Sequence, residues 1–194
     1  MAETAKRKAT YADLEAVHPH LVAEIIYGSL VTHPRPNPYH AVAHNSLGTE
    51  LTGPFQKGRG GPGGWIFLTE PELHFGEDVV VPDLAGWKRD RLTPFPQTAY
   101  IVTPPDWLCE ILSDSTERFD RVEKRQIYAR VGVKFLWLLD PRRKFLECYS
   151  LVAGKWLLTK TLNGDEIVSA PPFEAVSFSL GLLWPFDDVK KISE

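Results

Sequence analysis

Apolar residues along this chain fall into short blocks set apart by turn chemistry, and the block at 107–112, Trp-Leu-Cys-Glu-Ile-Leu, is the most informative. A continuous run of that length reads as a strand covered on both faces, since a half-exposed strand would alternate with polar residues. Glu110 interrupts it. A buried, unpaired carboxylate is costly, so the group has to be protonated, paired with a cation or bound to a metal. Downstream, Ser113-Asp114-Ser115-Thr116-Glu117 supplies N-cap residues and an early acid, which predicts a helix starting near Thr116 and ending before Gly132. On that helix Lys124 shares a face with Ile127, Tyr128 and Val131, so it points inward. Either its stem packs while the ammonium reaches water, or the ammonium meets Glu110.

The same reading places other elements around this pair. Residues 23–27 and 30–33 flank Gly28-Ser29, a pair suited to a hairpin turn, with Glu24 at the start of the first strand. A proline-rich loop, 34–38, precedes a helix over 39–51. His40 and His44 lie four apart on it, but Ala41 stands where a zinc-binding HExxH motif needs Glu, so a pair of surface or N-terminal-turn histidines is expected. The glycine-rich stretch 56–64 lacks the Gly-Lys-Ser/Thr ending of a phosphate-binding loop and reads as a flexible connection. Extended segments at 65–68 and 72–75 follow. The β-branched run from Val79 ends in Pro82-Asp83; proline cannot donate to a ladder, so Asp83 is expected at a bulge or strand end, where its side chain can be aimed into a cleft. Segments 134–139, 145–151 and 156–160, separated by turns, predict an antiparallel β-meander, with the tail through Phe178 and Trp184 packing on the core.

Composition sharpens this picture modestly. With 194 residues and 43% apolar content the chain can bury one sizeable core, so residues 11–194 are expected to form one domain behind a disordered 1–10, and residues 187–194 form a polar end. No apolar run reaches the length of a membrane span and no signal-peptide pattern opens the chain, which predicts no membrane and a cytoplasmic location. Cys109 and Cys148 both fall in apolar strand patterns and read as structural thiols. A net charge of −3 argues against a chain-wide electrostatic grip on nucleic acid. The local clusters Arg118, Arg121, Lys124 and Arg125, then Arg142-Arg143-Lys144, then Lys88, Arg89 and Arg91 each read as solvated surface.

Three places together, Glu24 in EIIYGSLV, Asp83 in VVVPDLAGW, and Glu110 with Lys124 in WLCEILSDSTERFDRVEKRQIYARVGVKFLWLLDP, resemble the Uma-type family of bacterial putative restriction endonucleases over most of the chain. That family is similar to the PD-(D/E)xK nucleases. The resemblance implies an α/β fold with a restriction-endonuclease-like core: a mixed central β-sheet flanked by helices, with the meander added. It makes Asp83 the motif's aspartate, Glu110 its second acid, Lys124 its lysine and Glu24 an early acid, with Glu72 as a further acid for the cleft. One departure stands out. The lysine usually follows the acid by two residues on the same strand, and that position here is Leu112, so the resemblance implies a lysine moved to the helix.

The chemistry implied is Mg²⁺- or Mn²⁺-dependent phosphodiester hydrolysis, with Asp83, Glu110 and the carbonyl of Ile111 as hard oxygen ligands, Lys124 positioning water or stabilising charge, and Glu24 in support. DNA is the expected partner, and a homodimer follows if both strands of a duplex are cut. Two rivals stand beside it: a catalytically inactive binding or scaffold protein on a nuclease fold, and a glycosidase working through paired carboxylates, which leaves an inward lysine without a role.

Overall fold

The computed structural model describes residues 7–185. The chain begins with a short helix, α1 (Tyr11–Glu15), capped by Thr10. Of the expected disordered segment, residues 1–6 lie outside the described residues, while the Ala9 N–H donates to the Gly28 carbonyl at 2.8 Å. The hairpin β1 (Leu21–Ile26) and β2 (Ser29–Pro34) leads to helix α2 (Pro38–Leu51), whose N-cap Asn37 accepts from the His40 N–H and whose last turn widens over Thr52–Gln56. After the glycine-rich loop come β3 (Trp65–Thr69), β4 (Glu72–Phe75), β5 (Asp78–Val80) and β6 (Leu84–Lys88), then β7 (Tyr100–Ile101) and β8 (Trp107–Ile111). A wide, π-wound turn (Phe119–Lys124) runs into α3 (Arg125–Val131), which Gly132 closes in the left-handed conformation, φ 82°. Strands β9 (Phe135–Asp140), β10 (Phe145–Val152) and β11 (Lys155–Asn163) are the meander; β12 (Ile167–Val168) and β13 (Phe178–Ser179) pair near the end. Residues 187–194, the predicted polar end, lie outside the described residues.

The fold is mixed α/β. A six-stranded sheet runs in the order β11-β10-β9-β8-β6-β3, and a five-stranded sheet in the order β2-β1-β5-β4-β7. In the larger sheet β8 and β9 are parallel and the other pairs antiparallel. Every residue of β8 is buried, as its apolar run demands. Alternation along it sends Trp107, Cys109 and Ile111 toward α2 and Phe173, and Leu108 and Leu112 toward Ile127 and Tyr128 of α3. Glu110 therefore faces α3.

The run from Val79 to Ala85 does not make a single strand. It breaks at Val81-Pro82-Asp83, leaving β5 in the smaller sheet and β6 in the larger. The missing proline donor and a change of direction fall together, so Asp83 lies on the seam between the two sheets. The helix expected from Thr116 to Gly132 forms, but its first half is π-wound rather than α-helical.

Candidate active site

Four acids and a lysine from distant parts of the chain meet at this seam. Lys124 is 3% exposed, and its Nζ lies 2.8 Å from Glu110 Oε1, 3.1 Å from Glu24 Oε1 and 3.3 Å from Asp120 Oδ1. The wide turn at 119–124 keeps Asp120 and Lys124 on the inner face together. Tyr128, one helical turn further, donates its hydroxyl to Glu110 Oε1. Lys124 and Tyr128 thus both engage Oε1 of Glu110, and among the described residues no hydrogen bond or ion pair engages Oε2.

Asp83 is held from two sides. Its Oδ2 accepts from the Ile111 N–H at 2.6 Å, and its Oδ1 lies 3.0 Å from His40 Nε2. Ile111 is free to make that bond because the ladder between β8 and β9 uses the N–H of Leu112, which donates to Leu139, while β6 pairs with β8 no further than Leu84 against Cys109. In an extended strand a residue's N–H and C=O leave on the same side. The Ile111 carbonyl is therefore directed to the edge where Asp83 lies. Glu24, 2% exposed in β1, accepts from the Val81 N–H at 2.8 Å, and His33 Nε2 lies 3.2 Å from its other oxygen.

The electrostatics follow from burial opposed by these contacts. Burial would raise the Glu24 carboxyl, but Lys124, His33 and the Val81 N–H outweigh it and hold the group below its ordinary value. Burial wins at Glu110, raised well above the usual range, and at Asp120, also raised. Burial opposes the charge on Lys124, yet Glu110 and Glu24 lift it well above its ordinary value. At His40 burial is again outweighed, here by the bond to Asp83, and the ring is raised.

These groups line a cavity of about 240 Å³ walled by Val22, Pro34, Pro36 and Val81 and edged by Arg35, Asn37, Ser113, Ser115 and Thr116. Asp83, Glu110, Lys124 and Glu24 all face it. His40 does too: it sits in the first turn of α2, one of the two places expected for it, but at 5% exposure it is not at the surface. Its spacing to His44 was uninformative; its place one turn after an N-cap and a proline loop was the available signal. Glu72 does not face the cavity. It sits against Tyr11 and His74, and Glu70 lines the cavity instead. Asp120 was legible as the residue four before Lys124, and Tyr128 as the one four after it. The basic clusters are likewise less free than expected. Arg121, Arg142 and Arg143 bind Glu117, with Glu147 and Asp140 as further partners.

The family model Uma2, described as "Putative restriction endonuclease", matches residues 9–182. The chain belongs to the Uma2 family. Among solved structures it is similar to a protein from Anabaena variabilis described as a putative nuclease belonging to DUF820, with 20% identity, a TM-score of 0.69, and coverage of 84% of this chain and 89% of that one. That likeness concerns the fold alone. No curated protein matches the chain significantly.

A divalent metal is the group such a family implies. Among the described residues no three His, Cys, Asp or Glu side chains are arranged to enclose an ion, because the Lys124 ammonium stands among three of the acids. The donor chemistry nevertheless fits a hard cation. Asp83 and Glu110 offer carboxylate oxygens to a cavity with more acids than bases. No helix of the described residues is long and apolar enough to cross a membrane.

Proposed function

We infer that this chain is a metal-dependent nuclease that hydrolyses phosphodiester bonds of DNA. The observation that carries the reading is the convergence of Asp83, Glu110 and Lys124 on one cavity, with Lys124 Nζ 2.8 Å from Glu110 and Asp83 tied to the backbone of Ile111 at 2.6 Å. Asp83, Glu110 and the Ile111 carbonyl would hold Mg²⁺ or Mn²⁺. When bound, such an ion polarises a phosphate oxygen and lowers the pKa of a water. In the hydrolysis a water oxygen bonds to phosphorus, the bond to the leaving ester oxygen breaks, the water gives up a proton and the departing oxygen gains one. Lys124 holds a positive charge where negative charge develops on the phosphoryl oxygens. Tyr128 and Lys124 fix Oε1 of Glu110, so that Oε2 turns to the ligand. Glu24 keeps Lys124 oriented and charged. A cytoplasmic location suits such an enzyme.

Plasmid nicking by the purified chain with Mg²⁺ or Mn²⁺, beside Asp83→Ala prepared identically, tests this. Metal-dependent nicking lost in the variant is expected; equal nicking by both removes Asp83 from the reaction. One observation favours a binding protein without catalysis: the ammonium of Lys124 is already engaged by three carboxylates. Calorimetric titration separates the two, since a catalytically silent site would take up no Mn²⁺ at millimolar concentration.

A further inference from the structure

His40 is a buried side chain of the cavity to which the reaction above gives no part. Asn37 caps α2 by accepting from the His40 N–H at 3.0 Å and Pro38 opens the helix, so the first turn is held at its start and carries the ring onto the seam. There the ring is 5% exposed, lines the cavity and sets Nε2 3.0 Å from Asp83 Oδ1. Its Nδ1 is buried as well, and among the described residues nothing hydrogen-bonds to it. Buried polar atoms without a partner are few in native folds, and each calls for a reason such as a bound water, an ion or a catalytic role. The tautomer of a histidine is set by the bond that its second nitrogen makes. Among the described residues no such bond commits the proton to Nε2, so the ring can present a bare Nε2 lone pair.

Asp83 is the acid that the ammonium of Lys124 leaves open. Lys124 pairs with Glu24, Glu110 and Asp120, and among the described residues it makes no ion pair with Asp83. The Asp83 side chain, at 15% exposure, also reaches further toward solvent than those three, none of which exceeds 4%. A dication therefore finds at Asp83 a carboxylate without a lysine or arginine partner among the described residues, and an imidazole beside it. Two donors on neighbouring corners of an octahedron, each about 2.1 Å from the ion, lie about 3 Å apart. Nε2 and Oδ1 already stand at 3.0 Å. An ion can thus take the place of the proton between them with little movement of either side chain.

We propose that His40 is a ligand of the metal ion, its Nε2 sharing the ion with Asp83, and that this nitrogen makes the site select Mn²⁺ and later transition ions over Mg²⁺. The proposal rests on the reading of the cavity as a metal site and decides between the two ions left open there. Nε2 gives up its proton to solvent as the ion binds, and the ring stays neutral with a proton on Nδ1. Mg²⁺ is held through oxygen and keeps several waters, whereas affinity for sites that include nitrogen rises from Mn²⁺ along the first transition row.

The test loads the full chain with Mn²⁺ and records electron spin echo modulation, which detects a nitrogen bound directly to the ion, beside calorimetric titrations with Mn²⁺ and with Mg²⁺. The wild type should show nitrogen modulation that His40→Gln abolishes. His40→Gln should also weaken Mn²⁺ binding at least about tenfold and Mg²⁺ binding less than about threefold, so that the preference narrows. His33, the other histidine lining the cavity, is the control: His33→Gln should keep the modulation, and it decides the matter if His40→Gln does not fold. Modulation that survives in His40→Gln, or that is lost in His33→Gln, overturns the proposal. Mn²⁺ bound by the wild type without nitrogen modulation overturns it as well and leaves the nuclease reading standing. No Mn²⁺ uptake by the wild type at millimolar concentration overturns both.

Discussion

Replacing Lys124 by Met keeps most of the side chain's volume and removes its charge, so the loss it causes reports electrostatics rather than a cavity. Three buried carboxyls, on Glu24, Glu110 and Asp120, lie within 3.3 Å of the ammonium. At an effective dielectric near 20 each contact is worth on the order of 5 kcal/mol gross, most of it offset by taking the ions out of water. Breaking such a cluster by removing one partner costs about 3–5 kcal/mol net, a large share of the roughly 5–15 kcal/mol that holds a domain folded. The cost also depends on pH. With Lys124 present the Glu24 carboxyl is held low, so its contribution is present above the unfolded value and is lost as pH falls through the folded one. Without Lys124, burial dominates and the folded pKa rises, so the variant is most stable in acid and weakens as pH increases. Urea unfolding of both proteins at pH 8 and pH 5 should therefore show a gap of about 3–5 kcal/mol at pH 8 that narrows at pH 5. A gap below about 1 kcal/mol at pH 8, or one that does not change with pH, would mean that Lys124 is not the counter-charge of this cluster.

Other expectations are independent of that one. Tyr128→Phe removes the hydroxyl that fixes Glu110 Oε1 and should weaken Mn²⁺ binding by about 10–100-fold in calorimetry, with little change in far-UV circular dichroism; unchanged affinity would exclude a positioning role. Burial opposes ionisation of Glu117, but Arg142, Arg121 and Arg143 outweigh it and bring its pKa to about 2. Its contribution is thus present above the ordinary carboxylate range and fades as pH drops toward about 2. Glu117→Gln should cost on the order of 1–2 kcal/mol at neutral pH, after allowance for solvent screening, and much less at pH 3 in the same urea assay. Gly86→Ala would set a Cβ 2.8 Å from Phe67 and 3.3 Å from Trp107, so overpacking in β6 should lower stability by about 1–3 kcal/mol, read as a drop in the thermal midpoint.

The strand at β8 was legible because its apolar run could only be covered on both faces, and the inward face of the following helix was legible from the spacing of Lys124, Ile127 and Tyr128. Glu110 and Lys124 could be paired on those grounds. The role of Pro82 was half legible: it foretold that Asp83 would leave the ladder, but a local proline effect does not say that the two halves of the run join different sheets. His40 was hidden for a related reason. An amphipathic helix pattern gives the face of a residue, while the contact with Asp83 depends on how α2 lies across the seam. Glu72 and Glu70 show the limit most sharply. Both are acids beside Pro71, and the bend there, with Glu70 at φ 46°, decides which one meets the cavity.

Glu24 comes from the smaller sheet, Glu110 from the larger and Lys124 from the helix between strands, while Asp83 occupies the crossing point of the chain. An ion or phosphate captured among them would act as a rivet through two plates. Slippage of one sheet over the other would then be resisted by the occupant, and the hairpin of β1 and β2 would become harder for a protease to peel away. Occupancy of the proposed site and mechanical integrity of the scaffold would then be one and the same joint.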